Sequence, residues 1–163
     1  MSKPASAAIT VRRLAETEMD QAARVLRLSF DAQYPWLSGL HTPDEDRYFF
    51  REILYPSCQI WGAIAQDLIG IIAFRPGMIE QLYVLPDCQG RGAGSALLAV
   101  AMSQSDELEL WTFQRNARAR RFYEAKGFVA TKKTDGSENE EREPDVLYRW
   151  ERRAGASGID VKG

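Results

Sequence analysis

The chain has 163 residues, of which 45% are hydrophobic and 27% are charged, and its formal net charge is −2. This length and composition predict one globular domain. The net charge lacks the strongly positive bias of proteins that bind nucleic acid or anionic membranes, so the overall charge does not suggest either partner. No apolar run approaches the roughly 20 residues that span a bilayer, and residues 1–8 lack the apolar core of a secretion signal. We therefore expect a cytoplasmic protein with neither nucleic acid nor membrane as a partner.

Cysteine and histidine are scarce in this chain. Two cysteines do not make a disulfide framework, and a single histidine, His41, excludes the usual zinc spacings, so we expect no metal. We predict one domain over residues 9–152, with flexible segments at residues 1–8 and 153–163 because both ends are small and polar. Both a monomer and a homodimer remain open.

The first elements are a short strand and a helix. Residues 9–12 are β-like, and an apolar stripe at helical spacing predicts a helix over residues 18–30. Thr17 and Asp20 have the spacing of a capping box at its start. The aromatic residues 31–41 contain proline and glycine, so we predict a loop there.

A second helix signal follows that loop. Thr42 is a candidate N-cap, Pro43 takes the first helical position, and Glu45 completes a capping box. We expect Pro56 to end this helix. The remaining pattern predicts strands at residues 58–65, 68–74, 78–84, 108–113, 128–132 and 146–151, with helices from the glycines to about residue 103 and over residues 117–126.

This element order is β-α-α-β-β-β-α-β-α-β-β. Strand pairs that short turns join are antiparallel, whereas the strand at residues 78–84, the helix after it and the strand at residues 108–113 form one parallel crossover. We therefore predict a mixed α/β sheet, largely antiparallel, with helices on both faces.

Three glycines separate the third long strand from its helix, in the sequence PDCQGRGAGSALLAVA. Gly90, Gly92 and Gly94 would leave backbone N–H groups open at the positive end of a helix dipole, which predicts an anion site. A P-loop is excluded because no lysine follows Gly94, and the dinucleotide fingerprint is excluded because Ser95 and Leu97 stand where its third glycine is needed.

Two segments resemble the GNAT superfamily of acyl-CoA N-acyltransferases. Residues 89–94, QGRGAG, are similar to the Q/R-x-x-G-x-G/A signature of that superfamily, and LYVLP before them resembles the end of its central strand. Residues 116–128, NARARRFYEAKGF, resemble its second segment, N-x-x-A-x-x-F-Y-x-x-x-G-F. The order of elements over residues 9–152 is also similar. The resemblance implies a GNAT fold of about six to seven strands and about four helices, with a V-shaped splay between the two central parallel strands.

The resemblance also implies the ligand, acetyl-CoA, and its contacts. Its pyrophosphate would meet the glycine stretch, and its pantetheine arm would pair with the strand before it. The implied cofactor-binding residues are Leu82, Tyr83, Val84, Gln89, Gly90, Arg91, Gly92, Ala93, Gly94, Ser95, Asn116 and Tyr123. One strand N–H would polarise the thioester carbonyl, as an oxyanion-type donor does. Core packing remains an alternative for the strand residues, and an N-cap for Asn116.

Tyr123 is the candidate general acid. A phenol has a pKa near ~10 and is able to protonate a departing thiolate, a role that the resemblance assigns to this tyrosine. Glu80, directly or through water, is the candidate base for the amine, and His41 is the other candidate because its ordinary pKa suits the task. Structural roles remain open for all three. Arg115, Arg118, Arg120 and Arg121 are candidates for the adenosine phosphate, for pairing with the acidic residues 135–145, or for simple solvation.

The acceptor pocket of the resembled superfamily is built mainly by the first two helices and their loop. Here that implies Tyr34, Trp36 and His41 as substrate-binding residues, although the same aromatic residues would suit a packed loop. We expect an N-acetyltransferase that moves an acetyl group to a primary amine, of a small molecule or of a peptide, by direct attack in a ternary complex. The alternatives are an inactive acyl-CoA-binding sensor and a nucleotide-binding protein.

Overall fold

The computed structural model describes residues 8–153, and its contacts divide the chain into two units. Unit 1 contains the residues up to Arg75 together with Glu80–Ala101, and unit 2 contains Pro76–Ile79 together with the residues from Met102 onward. The single domain over residues 9–152 stays a prediction. Residues 1–7 and 154–163, nearly all of the two predicted flexible segments, lie outside the described residues.

Unit 1 holds the first strands of the chain. They are β1 (Thr10–Arg13), β2 (Gln59–Ala65), β3 (Asp67–Arg75) and most of β4 (Met78–Val84). β1 pairs antiparallel with β2, and β2 pairs antiparallel with β3. Six consecutive residues of β3 are buried, as in a strand that is covered on both faces, and this explains its continuous apolar sequence.

The helices of unit 1 begin with α1 (Met19–Gln33), whose buried residues follow the predicted apolar stripe. The predicted capping box of Thr17 and Asp20 is wrong. A 3₁₀ turn at Glu16–Glu18 precedes α1, and Glu18 Oε1 accepts the Ala15 N–H at 2.9 Å. The carboxylate that satisfies a backbone donor therefore stands two residues before the one that the spacing indicated.

The second helix is α2 (Pro43–Tyr48), and its predicted capping box is confirmed: Thr42 Oγ1 accepts the Glu45 N–H at 3.1 Å, and Glu45 Oε1 accepts the Thr42 N–H at 2.7 Å. The prediction that Pro56 ends this helix is wrong. The chain continues as a π-helix at Phe49–Leu54 and one α turn, α3 (Tyr55–Ser57). Pro56 lies within α3, and although proline contributes no N–H to the helix, the helical stretch runs one residue past it, to Ser57.

Unit 2 is built on β5 (Glu107–Phe113), β6 (Val129–Lys133) and β7 (Asp145–Glu151), with α5 (Ala117–Ala125) between the first two. β5 and β7 pair antiparallel along all seven residues of each. β6 pairs antiparallel with β7, with a register shift between Ala130 and Lys132. Met78, at the start of β4, pairs in parallel with Glu109 of β5.

The strands hydrogen-bond in the order β1-β2-β3-β4-β5-β7-β6, and α4 (Ala93–Ser103) follows β4 along the chain. The predicted fold class, a mixed α/β sheet of six to seven strands with about four helices, is confirmed among residues 8–153. They contain seven strands, and their longer helical segments are α1, the continuous stretch from α2 to α3, α4 and α5. The splay between β4 and β5 stays a prediction. No described helix combines the length and the apolar character that a bilayer span requires.

Candidate functional site

The glycine segment, residues 86–95, turns through two left-handed residues before α4 begins. Gly90 has φ +82° and Gly92 has φ +89°, a conformation that side chains rarely adopt. A Cβ atom built at either glycine would meet no atom of residues 8–153 within 4 Å. Among the described residues, the backbone angle and not crowding therefore explains why glycine stands at these positions.

Helix α4 starts directly after these turns, and the Gly92 carbonyl accepts the Ala96 N–H at 3.0 Å. The amides of Ala93, Gly94 and Ser95 belong to the first turn, where an α-helix supplies no acceptor of its own. They lie at the positive end of the dipole of an 11-residue helix. This arrangement suits an oxyanion such as phosphate, and the residues present therefore fit the pyrophosphate of CoA.

Two hydrogen bonds hold the glycine segment and Leu85, the residue before it, to the strands of unit 1. The Gln89 side-chain amide donates to the Val84 carbonyl at 3.1 Å, and the Leu85 N–H donates to the Ile69 carbonyl at 2.8 Å. Gln89 was predicted as a cofactor residue, and the structure also gives it this fastening role.

Gly70 of β3 is a residue that the sequence analysis missed. A Cβ atom there would lie 3.2 Å from the Tyr83 carbonyl oxygen and 3.2 Å from a methyl carbon of Leu97 in α4. The absence of a side chain therefore lets β4 and α4 approach β3 closely. The available signal was a glycine inside an otherwise continuous apolar strand, which often marks a close backbone approach.

The candidate base, Glu80, lies on β4, four residues before Val84. Its side chain is 30% exposed and forms an ion pair with Arg75, whose Nε lies 3.4 Å from Glu80 Oε2. Leu82, Tyr83 and Val84 follow it as half-buried strand residues. Arg75 was not among the predicted residues, because nothing local in the sequence links it to a carboxylate five positions away across a turn.

The three predicted acceptor residues belong to the loop between α1 and α2 and its flanks. Tyr34 is buried at 5% exposure, with its ring centroid 5.0 Å from Phe30 and 5.8 Å from Trp36. The Trp36 side chain is exposed. His41 is half-buried, and its Nδ1 lies 3.9 Å from Glu45 Oε1. Trp36 and His41 therefore reach the surface, while Tyr34 supports the loop from below.

An arginine that the sequence analysis missed holds the two helices beside this loop. Arg27 of α1 donates from Nε and Nη2 to the two carboxylate oxygens of Asp46 in α2, both at 2.7 Å, and from Nη1 to Asp31 at 3.0 Å. The hydrogen bonds to Asp46 raise the pKa of Arg27 above its ordinary value. Asp46 is buried, so this bidentate pair fixes the ends of the loop.

Unit 2 carries the second motif. Asn116 caps α5, with its Oδ1 accepting the Ala119 N–H at 3.0 Å, so the predicted capping role is confirmed. The Tyr123 side chain is 7% exposed and lies among three aromatic rings, with centroid distances of 5.2 Å to Phe122, 5.6 Å to Phe128 and 6.3 Å to Tyr148. These contacts therefore hold the Tyr123 ring inside unit 2.

The acidic loop, residues 135–145, is tightly bonded. The Asn139 side chain donates to the Glu143 carbonyl at 2.7 Å and accepts the Glu143 N–H at 3.1 Å, and Gln114 donates to the Asp145 carbonyl at 3.0 Å. Arg115 Nε lies 3.2 Å from Glu143 Oε2. Of the four arginines beside Asn116, Arg115 pairs with this loop, Arg120 bonds to Tyr148, and Arg118 and Arg121 are exposed.

The predicted site residues divide between the two units. Glu80, the β4 residues, the glycine segment and the aromatic loop belong to unit 1, and Asn116 and Tyr123 belong to unit 2. Across residues 8–153, no group of three metal-ligating side chains could hold a metal ion.

Residues 56–130 match the family model described as an acetyltransferase (GNAT) domain. The chain is 27% identical over 130 residues to the peptidyl-lysine N-acetyltransferase YjaB of Escherichia coli (strain K12), covering 78% of this chain and 86% of that protein. The solution structure of apo YjaB from Escherichia coli has a TM-score of 0.74, with 23% identity, 90% coverage of this chain and 99% of the other. PaiA N-acetyltransferase from Thermoplasma acidophilum, in complex with coenzyme A, has a TM-score of 0.66, with 21% identity and coverages of 88% and 99%. Residues 56–130 thus match a GNAT acetyltransferase domain, and the chain shares its fold with YjaB and with PaiA N-acetyltransferase.

Proposed function

We propose that this acyltransferase uses acetyl-CoA to acetylate the side-chain amine of lysine in a peptide or protein, by direct attack of the amine on the thioester. The observation that carries acetyl-CoA use is the glycine segment, where two left-handed glycines lead into the first turn of α4. Within the described part of the chain, both Cβ positions are open, which leaves room for a phosphate to reach the backbone amides. Arg91, exposed within the same segment, adds a cation suited to the second phosphate.

Lysine as the acceptor is supported by the relatives, two of which are named peptidyl-lysine N-acetyltransferases. The loop between α1 and α2 offers chemistry suited to such a chain. Trp36 presents an exposed indole, which attracts a cation or the methylene stem of lysine. Asp44 and Glu45 are exposed at the start of α2 and suit further cationic side chains of a peptide.

The chemistry needs proton transfers at both the nitrogen and the sulfur. A lysine ammonium must lose a proton before its nitrogen attacks the thioester carbonyl, and we assign that step to Glu80, directly or through water, with His41 as the alternative base. The carbon–sulfur bond breaks as the carbon–nitrogen bond forms, and Tyr123 gives its proton to the departing sulfur. The attacking nitrogen then gives up its second proton to form the amide, and that proton, passed on through water, restores the Tyr123 phenol. Holding both reactants together contributes to the rate as well.

The test is turnover on a defined set of amines. The protein is mixed with acetyl-CoA and with lysine peptides, peptides whose only amine is the α-amino group, or small amines, and the released thiol is followed over time. Thiol release that depends on the lysine side chain, with the acetyl group located there by mass spectrometry, supports the proposal.

Three other results would replace the proposal. Release with small amines alone would overturn the peptide acceptor while keeping the transferase. Tight acetyl-CoA binding without turnover on any amine would favour an acyl-CoA sensor. Tighter binding of ATP than of CoA would favour a nucleotide-binding protein.

A further inference from the structure

Tyr148 of β7 is fully buried, and its hydroxyl bridges two charged residues of α5. It accepts a hydrogen bond from Arg120 Nε at 2.9 Å and donates one to Glu124 Oε2 at 2.6 Å. Burial raises the pKa of the Tyr148 phenol, so this group is protonated at neutral pH and able to donate. Arg120 also donates from Nη1 to the Gln114 carbonyl at 3.4 Å, so one end of the bridge is tied to the chain before α5.

The bridged residues flank Tyr123 on the helix. Arg120 and Glu124 are four positions apart, so they lie on one face of α5, and Tyr123 lies three positions after Arg120 on the same side. The rings of Tyr123 and Tyr148 are neighbours, with centroids 6.3 Å apart and planes inclined by 39°. The bridge and the candidate acid therefore share one contact surface between α5 and β7.

Aromatic packing alone leaves a helix able to slide or rotate slightly, because apolar contacts have little directionality. Two hydrogen bonds from one fixed hydroxyl to two successive turns are directional, and a rotation of α5 by one residue, about 100°, would break both. A buried hydroxyl that loses its partners is also costly, so such rotations are disfavoured. Two directional bonds to α5 are therefore suited to restricting rotation of the helix about its axis, and the position of the Tyr123 side chain depends on that rotation.

We propose that Tyr148 is a positioning residue for catalysis, which aims the general acid Tyr123 by fixing α5 through Arg120 and Glu124. This inference rests on the acid role given to Tyr123 under the proposed function. It adds a residue outside both sequence motifs, and its hydroxyl acts only through α5.

The test is a double-mutant cycle with Tyr148→Phe and Tyr123→Phe. Tyr148→Phe keeps the ring and removes the bridge, so we expect kcat to fall about tenfold, with the KM for acetyl-CoA within about twofold. If Tyr148 acts only through Tyr123, the double variant is no slower than Tyr123→Phe alone. Trp150→Phe, on the same strand, is the matched control and should leave kcat unchanged.

A second pair of variants tests the bridge without touching the core. Glu124 is exposed, so Glu124→Leu and Glu124→Gln should both fold. Glutamine keeps an acceptor for the Tyr148 hydroxyl and should retain nearly full kcat, whereas leucine removes the acceptor and should lower kcat as Tyr148→Phe does. This pair decides the question even if Tyr148→Phe proves unstable on heating.

The failures are distinguishable. If Tyr123→Phe keeps full turnover, the acid role fails and the positioning role fails with it. If Tyr123→Phe is slow but the two substitutions multiply in the double variant, the acid role stands and Tyr148 is merely structural. Equal kcat for Glu124→Leu and Glu124→Gln would also overturn the bridge.

Discussion

The glycine segment of unit 1 and the acidic loop of unit 2 each turn at a glycine with φ +82°, Gly90 and Gly136. At Gly90 a Cβ atom would meet no described residue within 4 Å, whereas at Gly136 it would lie 2.4 Å from the carbonyl carbon of Glu143. The same residue in the same conformation thus has two different surroundings. One turn is open to a ligand, and the other is filled by the chain's own backbone.

The two regions also differ in how they are held. One side-chain bond described above, from Gln89 to the Val84 carbonyl, fastens the glycine segment. The acidic loop is fastened by several, from Gln114, Asn139, Thr134 and Arg115. A region shaped by backbone angles should lose function when a side chain is added, whereas one shaped by side chains should lose stability when one is removed.

The largest expected effect is that of Gly92→Val on CoA binding. Valine has no comfortable place at φ +89°, and its side chain would stand over the amides that face the anion. We expect affinity for CoA to fall about a thousandfold, or about 4 kcal/mol, by calorimetric titration.

The matched control is Gly77→Val. Gly77 has φ +80°, and a Cβ atom there would also lie more than 4 Å from the other residues that the structure describes, so the backbone strain is similar. We expect equal losses of thermal stability in both variants, and unchanged CoA affinity in Gly77→Val. Unchanged affinity in Gly92→Val would refute the pyrophosphate assignment.

Tyr123→Phe tests a side-chain role in unit 2 and should have the next largest effect. The ring contacts with Phe128 and Tyr148 survive, so stability should change little, while the loss of the acid lowers kcat about a hundredfold. CoA affinity should stay within about twofold. Tyr48→Phe, at an exposed tyrosine, is the control and should change neither quantity. An equal loss of kcat and CoA affinity would contradict the acid role.

The sequence was informative wherever the controlling interactions are local. Strand β4 occupies the predicted residues 78–84, and the Thr42 capping box and the Asn116 cap formed as predicted, because each depends on residues within a few positions. The end of α1 was predicted three residues early. Ala32 and Gln33 are good helix formers, and the Tyr34 N–H still bonds to the Phe30 carbonyl at 2.7 Å.

Long-range polar contacts were out of reach for sequence analysis. Arg27 bonds to Asp46 across 19 positions, and Tyr148 bonds to Glu124 across 24. A charged residue in a sequence has many possible partners, and only tertiary packing selects one. The glycine segment was predictable for the opposite reason, because its conformation depends on the glycines within the segment itself.

Alanine substitutions at Gly136 and Gly90, the two glycines with the same φ, test the comparison between the two regions through protein stability. Gly136→Ala places a Cβ atom against the Glu143 backbone, which cannot yield cheaply, and adds strain at positive φ. We expect it to lower the free energy of unfolding by about 3 kcal/mol, as measured by urea titration. Gly90→Ala carries the strain alone and should cost about 1 kcal/mol. Equal costs would show that the crowding at Gly136 relaxes and that the two turns are alike.

Removing one glutamine in each region should have smaller effects than Gly136→Ala. Gln114 donates to the carbonyls of Thr134 and Asp145, at 2.9 and 3.0 Å. Gln114→Ala removes the donor to both carbonyl oxygens and should lower the free energy of unfolding by about 2 kcal/mol in urea titration. Gln89→Ala removes one bond to a half-buried carbonyl and should cost about 0.5 kcal/mol, with CoA affinity within about fivefold. The larger stability loss must fall in unit 2 if side chains hold the acidic loop and backbone angles shape the glycine segment. If Gln89→Ala lowers the free energy of unfolding as much as Gln114→Ala does, the glycine segment also depends on the side chain of Gln89. Side-chain packing, and not backbone angles alone, would then shape its turns.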